Sequence, residues 1–84
     1  MPEFTPIKTR KVYEEIIDQL RELISTGTYS PGDKLPSERD MAQMLGVSRA
    51  SVREAVVVLQ AMGFLVVRAG EGTFVSKSIN NETI

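Results

Sequence analysis

Residues 37–63 read SERDMAQMLGVSRASVREAVVVLQAMG and contain the starts of two helices separated by a very short turn. Ser37 and Ser48 are both suited to cap a helix, because a serine oxygen accepts a backbone N–H of the first turn. Gly46 is suited to end the first of these helices, since glycine adopts a positive φ without strain. A short helix, a glycine-containing turn and a second helix together form the helix-turn-helix pattern.

Apolar residues at helical spacing predict three helices. The first is expected over residues 10–25, with Thr9 as its N-cap and Gly27 as its end, and the third over residues 49–62. The residues expected to be buried are Val12, Ile16, Leu20, Leu23 and Ile24 in the first helix, Met41, Ala42 and Leu45 in the second, and Val52, Ala55, Val56, Leu59 and Met62 in the third.

The sequence after Gly63 predicts a β-hairpin. Residues 64–68 and 73–75 are rich in strand-forming side chains, and a glycine-containing turn separates them. The residues expected to face the helices are Phe64, Leu65, Phe74 and Val75. Lys34 and Leu35, which follow a Pro-Gly turn, are expected to form a very short extended segment.

These elements predict a mainly α fold with a small β-hairpin (α+β), a three-helix winged helix-turn-helix. We expect residues 1–9 to form an N-terminal arm, residues 10–75 the domain, and residues 76–84 a linker or tail. A length of 84 residues fits one domain and leaves little volume for an enclosed substrate pocket.

Composition excludes several function classes. The chain has no cysteine and no histidine, which excludes a disulfide scaffold and removes the commonest general base and metal ligand. No apolar run is long enough for a transmembrane helix, so a cytoplasmic protein without a membrane partner is expected. An enzyme is therefore the weakest hypothesis, and no cofactor is expected in this domain.

Charge is unevenly distributed, although the net charge is only −1. Residues 12–24 carry four acidic side chains against one basic, whereas residues 34–53 carry four basic side chains against two acidic. A near-neutral chain with this pattern accommodates one acidic and one basic face. A solvated surface of mixed sign explains the pattern equally well.

The opening turns of the third helix carry the candidate DNA-binding residues. The second helix of a helix-turn-helix enters the major groove with its N-terminus first. Arg49 is then placed to donate to O6 and N7 of a guanine, and Ala50 to touch a thymine methyl group. Ser48 and Ser51 are candidates for a phosphate contact, and Arg53 for a base or a phosphate.

Two further candidates lie outside that helix. Arg39, in the first turn of the second helix, is placed to contact the DNA backbone, and Gly70 at the hairpin tip allows close approach to phosphate or the minor groove. Simple surface pairs are the alternative, in which Arg39 and Arg53 bind neighbouring carboxylates such as Glu38. The hairpin, likewise, has a second interpretation as a cover for the helices.

Four sequence blocks resemble the GntR family of transcriptional regulators. They are PGDKLPSER at residues 31–39, GVSR at residues 46–49, VREA at residues 52–55 and GEGTFV at residues 70–75. The REA form resembles the FadR-like subfamily. The resemblance implies a winged helix-turn-helix that binds a palindromic double-stranded DNA operator as a homodimer. The positions it implies for DNA contact are Arg39, Ser48, Arg49, Ser51, Arg53 and Gly70.

The same resemblance implies a C-terminal domain that binds a small-molecule carboxylate effector, sometimes with a metal, and makes most of the dimer. The chain is therefore expected to be a fragment of a metabolite-responsive repressor, monomeric or weakly dimeric by itself. The wing departs from the family pattern at Val67, Ala69 and Glu71, where basic residues and proline are frequent. We expect fewer phosphate contacts and hence a shallower salt dependence of DNA binding.

A winged-helix module that binds protein and not DNA is the other hypothesis, because one fold hosts both functions. Such a module would more often carry apolar anchors where this chain carries Arg49 and Arg53. The apolar run at residues 56–58 is longer than one buried helix face requires. Val57 or Val58 is therefore a candidate for contact with the expected second domain or a second protomer. The alternative is that these valines are simply exposed.

Overall fold

A computed structural model describes residues 11–78 of the chain. Thr9, Arg10, the predicted arm at residues 1–9 and residues 79–84 of the predicted tail lie outside the described residues. The elements in chain order are α1 (Val12–Ser25), α2 (Glu38–Leu45), α3 (Arg49–Ala61), β1 (Leu65–Arg68) and β2 (Gly72–Val75). Among the helices of residues 11–78, none combines the length and apolar composition needed to cross a membrane.

Helices α2 and α3 begin at the predicted serines. The Ser37 hydroxyl oxygen accepts the backbone N–H of Asp40 at 3.1 Å, and that of Ser48 accepts the backbone N–H of Ser51 at 3.1 Å. Gly46 ends α2 with φ at +69°, a conformation that a residue with a Cβ adopts only at a cost. Residues 46–48 are thus the whole turn between the two helices.

The start of α1 is stabilised by an acidic side chain. Lys11 is the N-cap residue, so the predicted start at residue 10 with Thr9 as the cap is wrong. The Lys11 backbone N–H donates to the Glu14 carboxylate at 2.9 Å. An anion in the first turn also complements the positive end of the helix dipole. The helix ends at Ser25, immediately before Thr26 and Gly27.

The core lies between the three helices and the inner face of the hairpin. Its buried members are Ile16, Leu20, Leu35, Met41, Ala42, Val52, Ala55, Val56, Leu59, Leu65 and Val75. The predicted burial of Val12 and Met62 is wrong, since they are 47% and 48% exposed. Val12 is the first residue of α1, and Met62 is the C-cap of α3. Helical spacing extends to both positions, but at these helix ends the side chains remain largely in solvent.

The hairpin pairs its strands in antiparallel register. Leu65 pairs with Val75 and both side chains are buried, whereas Val66 pairs with Phe74 and the two lie on the opposite face. The predicted inward position of Phe74 is therefore wrong, because adjacent strand residues point to opposite faces and Val75 occupies the inner one. Phe64 packs against the core as predicted, from just before β1.

The segment before α2 adds a third piece to the hairpin. The sequence predicts a short extended segment here, and the structure shows in addition that this segment pairs with β2. Lys34 forms an isolated antiparallel bridge with Phe74 on the free side of β2. The Leu35 N–H donates to the Thr73 carbonyl at 2.8 Å, and the Gly32 N–H donates to the Val75 carbonyl at 2.8 Å. These backbone hydrogen bonds attach the loop that precedes α2 to the hairpin.

Candidate nucleic-acid interface

One carboxylate joins the starts of α2 and α3. Glu38, the first residue of α2, accepts a hydrogen bond from Arg49 Nε at 3.1 Å. The same carboxylate accepts Arg53 Nε at 3.0 Å and Arg53 Nη2 at 3.0 Å. Arg49 and Arg53 are four residues apart and therefore lie on one side of α3. Two of the predicted DNA-binding arginines are thus brought together around one anion.

The two guanidinium groups change the ionisation of this carboxylate. Hydrogen bonding by Arg53 lowers the pKa of Glu38 below its ordinary value, partial desolvation opposes this, and Arg49 contributes a further lowering. The same hydrogen bond raises the pKa of Arg53. The lowered pKa keeps Glu38 ionised at neutral pH.

The arginines remain accessible while they bind Glu38. Their side chains are 60% and 63% exposed, against 27% for Glu38 beneath them. Arg49 contacts the carboxylate through Nε, whereas Arg53 uses Nε and Nη2. Within residues 11–78, Arg49 therefore keeps its two terminal nitrogens for an external acceptor, while one edge of the Arg53 guanidinium is already occupied.

The serines at the start of α3 hydrogen-bond to each other. Ser48 Oγ donates to Ser51 Oγ at 3.0 Å while accepting the Ser51 backbone N–H. The Ser51 hydroxyl therefore retains its own proton for an acceptor outside the helix. Ala50 is exposed in the same turn and presents only a methyl group.

Arg39 and Gly70 lie apart from the Glu38 cluster. Arg39 is exposed in the first turn of α2, and within residues 11–78 it makes no ion pair with Glu38 or Asp40. Gly70 is exposed in the hairpin turn with φ at +77°. The structure thus places Arg39 at the start of α2 and Gly70 at the tip of the wing.

The sequence does not indicate the contact between Glu38 and Arg49. It allows a pair between Arg53 and Glu38 as one alternative, but it predicts Arg49 only as a DNA ligand. The two contacts span 11 and 15 positions. They depend on how α2 and α3 pack, and no local spacing rule indicates them.

Three helices with a paired hairpin, and arginines at the start of the second helix of a helix-turn-helix, define the winged helix-turn-helix class. The sequence profile of the bacterial regulatory proteins of the gntR family matches residues 12–75. The chain belongs to this family and is its winged helix-turn-helix DNA-binding domain.

Two curated relatives are transcriptional regulators. The HTH-type transcriptional regulator Mce2R of Mycobacterium tuberculosis is 47% identical over 70 residues, which cover 83% of this chain and 29% of the relative. The Uxu operon transcriptional regulator of Escherichia coli is 42% identical over 66 residues, which cover 79% of this chain and 26% of the relative. The chain therefore spans less than a third of these relatives.

A solved structure supports the same fold. The DNA-binding domain of AraR, crystallised in complex with operator ORX1, superposes with a TM-score of 0.79 and 31% sequence identity. The match covers 87% of this chain and 90% of that chain. The similarity thus extends over nearly the whole of a domain that was solved together with DNA.

Proposed function

We propose that this chain binds one half of a palindromic operator, with the N-terminus of α3 in the major groove. The observation that carries the proposal is the pair of exposed guanidinium groups of Arg49 and Arg53, held at the start of α3 by Glu38. The operator complex of the AraR domain supports it, because that domain shares this fold over most of its length. An arginine pair at this position fits base or phosphate recognition better than an apolar partner surface.

Arg49 is the residue proposed to read a base. Its Nε stays on Glu38 while its terminal nitrogens donate to O6 and N7 of a guanine. A guanidinium held at one edge loses less side-chain freedom on binding than an unrestrained one. Glu38 is then a positioning residue for Arg49 and does not itself contact DNA.

The neighbouring residues have complementary proposed roles. Arg53, whose Nε and Nη2 are engaged by Glu38, contacts a phosphate or a base through its remaining nitrogen. Ser51 donates its hydroxyl proton to a phosphate and Ser48 holds it in place, while Ala50 meets a thymine methyl group. These four residues and Arg49 all lie at the cap or in the first two turns of α3.

Two contacts frame that surface. Arg39 is proposed to bind the backbone beside the groove, and Gly70 to bring the wing tip against the minor groove. Both residues are exposed. The resemblance to the family supports these roles.

The remaining parts of the proposal concern the complete regulator. It is proposed to be a cytoplasmic homodimer and a metabolite-responsive repressor without enzymatic activity. A small carboxylate effector, with or without a metal, belongs to a domain beyond residues 10–75. The chain itself is proposed to be largely monomeric, so stable dimers in sedimentation at micromolar concentration would contradict this part.

Selection of duplexes from a random-sequence pool by this chain tests DNA binding directly. We expect enrichment of a half-site, and of a palindrome where two copies bind in register. The control is the Arg49→Ala/Arg53→Ala double variant, which removes both guanidinium groups and should enrich nothing. If the unmodified chain enriches no sequence even at low salt, the result contradicts the proposal and favours the protein-binding module.

A further inference from the structure

The outer face of the hairpin carries two cations that come from distant parts of the chain. Arg68, the last residue of β1, places its guanidinium 5.1 Å from the centre of the Phe74 ring. Lys34 pairs with the same phenylalanine from the other side of β2. Paired residues of an antiparallel ladder share a face, so Lys34, Phe74 and Arg68 lie on one surface.

Lys34 also reaches toward the wing tip. A Cβ built on Gly72 would lie 2.7 Å from Lys34 Cε, closer than two carbon atoms approach without displacement. The lysine stem therefore runs across Gly72, which is paired with Arg68 at the first position of β2. Glycine at this position, with φ at +128°, is what allows the stem to lie there. The two cations thus lie on either side of Gly72, where the strands meet the turn at the wing tip.

Neither cation is neutralised by a carboxylate. Within residues 11–78, Lys34 and Arg68 take part in no ion pair, whereas Arg49 and Arg53 share Glu38. Both Lys34 and Arg68 are exposed. Glu71, in the turn, is the one acidic residue of residues 64–75, so two positive charges beside the wing tip leave a net positive charge there that attracts an anion.

We propose that Lys34 and Arg68 bind phosphates of a single DNA backbone along the outer face of the wing. This inference rests on the proposed function, because it requires the tip to approach DNA. The positive charges of Lys34 and Arg68 complement the negative charge of a DNA strand. Because the two residues come from segments on either side of Gly72, they are placed to contact successive phosphates of that strand. Lys34 thereby supplies the wing with a charge that the hairpin sequence lacks at Val67 and Glu71.

The salt dependence of binding distinguishes a phosphate contact from a packing role. Lys34→Met keeps an unbranched apolar stem over Gly72 and removes the charge, and Lys34→Arg restores the charge. Arg68→Gln removes the second cation. The matched control is Arg21→Gln, because Arg21 also stacks on a phenylalanine, at 5.0 Å from the Phe64 ring, but lies on α1.

Binding is measured by fluorescence anisotropy over a range of salt concentrations, on a duplex selected by the unmodified chain and on a random-sequence duplex. Each lost phosphate contact should reduce the slope of log K against log salt by about 0.9, which is about eightfold in affinity at about 0.1 M salt. Lys34→Met and Arg68→Gln should each show this reduction on both duplexes. Lys34→Arg and Arg21→Gln should keep the original slope.

Thermal unfolding of each variant shows that the comparison is made between folded domains. Unchanged slopes in Lys34→Met and Arg68→Gln, with selective binding by the unmodified chain intact, would overturn the wing contact and leave the proposed function standing. A loss confined to one base pair would overturn the phosphate assignment in favour of base recognition. Failure of the unmodified chain to select any duplex would overturn both proposals.

Discussion

Arg49→Ala is the substitution that bears most directly on how this domain distinguishes one DNA sequence from another. Arg49 is the first residue of α3 and is 60% exposed, so alanine, a good helix former, fits the position without strain. Glu38 keeps two hydrogen bonds from Arg53 when Arg49 is removed. The carboxylate is therefore not left unpaired, and the free energy of unfolding should change by no more than about 0.5 kcal/mol.

The effect on DNA binding should be much larger. A bidentate contact between arginine and guanine discriminates against the wrong base by about 1–3 kcal/mol, which corresponds to about 5- to 160-fold in affinity. The Nε hydrogen bond to Glu38 does not have to be broken, because the two terminal nitrogens make the contact. The free energy of breaking the Arg49–Glu38 hydrogen bond is therefore not subtracted from this range of about 1–3 kcal/mol.

The assay compares the selected operator with a set of duplexes that each carry one base-pair change. The unmodified chain should bind the duplex with a changed guanine position more weakly than the operator. Arg49→Ala should bind these two duplexes with equal affinity. Gln60→Ala is the control, because Gln60 is an exposed residue near the other end of the same helix. Its affinities should match those of the unmodified chain on every duplex.

One result would refute the reasoning. If Arg49→Ala weakens binding to all duplexes by the same factor, Arg49 contacts a phosphate and reads no base. The geometry at Glu38 would then orient both arginines toward the backbone. Recognition of sequence would have to come from other residues at the start of α3.

Three further predictions concern the cap, the carboxylate and the wing tip. Ser48→Ala should lower the free energy of unfolding by about 1 kcal/mol in urea titrations, because the Ser51 N–H loses its acceptor; Ser30→Ala, whose hydroxyl caps no helix, should not. The lowered pKa of Glu38 means that its ionised form stabilises the fold above the unfolded-state pKa, near 4.5, and that this stabilisation is lost as pH falls through the lower folded-state value. The stability difference between the unmodified chain and Glu38→Gln should therefore be largest at neutral pH and shrink in acid. Glu71→Lys should steepen the slope of log K against log salt by about 0.9, and an unchanged slope would remove residue 71 from the DNA contact zone.

The starts of α2 and α3 and the turn between them could be predicted from the sequence because each depends on a few neighbouring residues. Ser37 and Ser48 cap the following turn, and Gly46 adopts the left-handed conformation that ends α2. Helix caps of this kind depend only on residues within a few positions of the helix end. The hairpin could be predicted in the same way, from strand-forming residues on both sides of a glycine-containing turn.

What the sequence did not predict depends on contacts between distant segments. The joint binding of Arg49 and Arg53 by Glu38 requires the packed orientation of two helices. The inward placement of Phe74 failed because two adjacent strand residues were both assigned to the core. Lys34 adds to the charge of the wing because tertiary pairing brings it beside Gly72, and no pattern within the hairpin sequence indicates this.

The backbone hydrogen bonds between residues 32–35 and β2 restrain the distance between the helix starts and the wing. Ser37 and α2 follow this segment almost at once, so the helix starts and the wing are joined through a few residues of restrained chain. The conformational entropy of setting their separation is lost when the domain folds and not when a duplex arrives. The distance between the helix starts and the wing is therefore set before DNA binds. We expect a duplex whose groove spacing matches this distance to bind without deformation. A duplex whose groove spacing differs must deform, and the free energy of that deformation weakens binding.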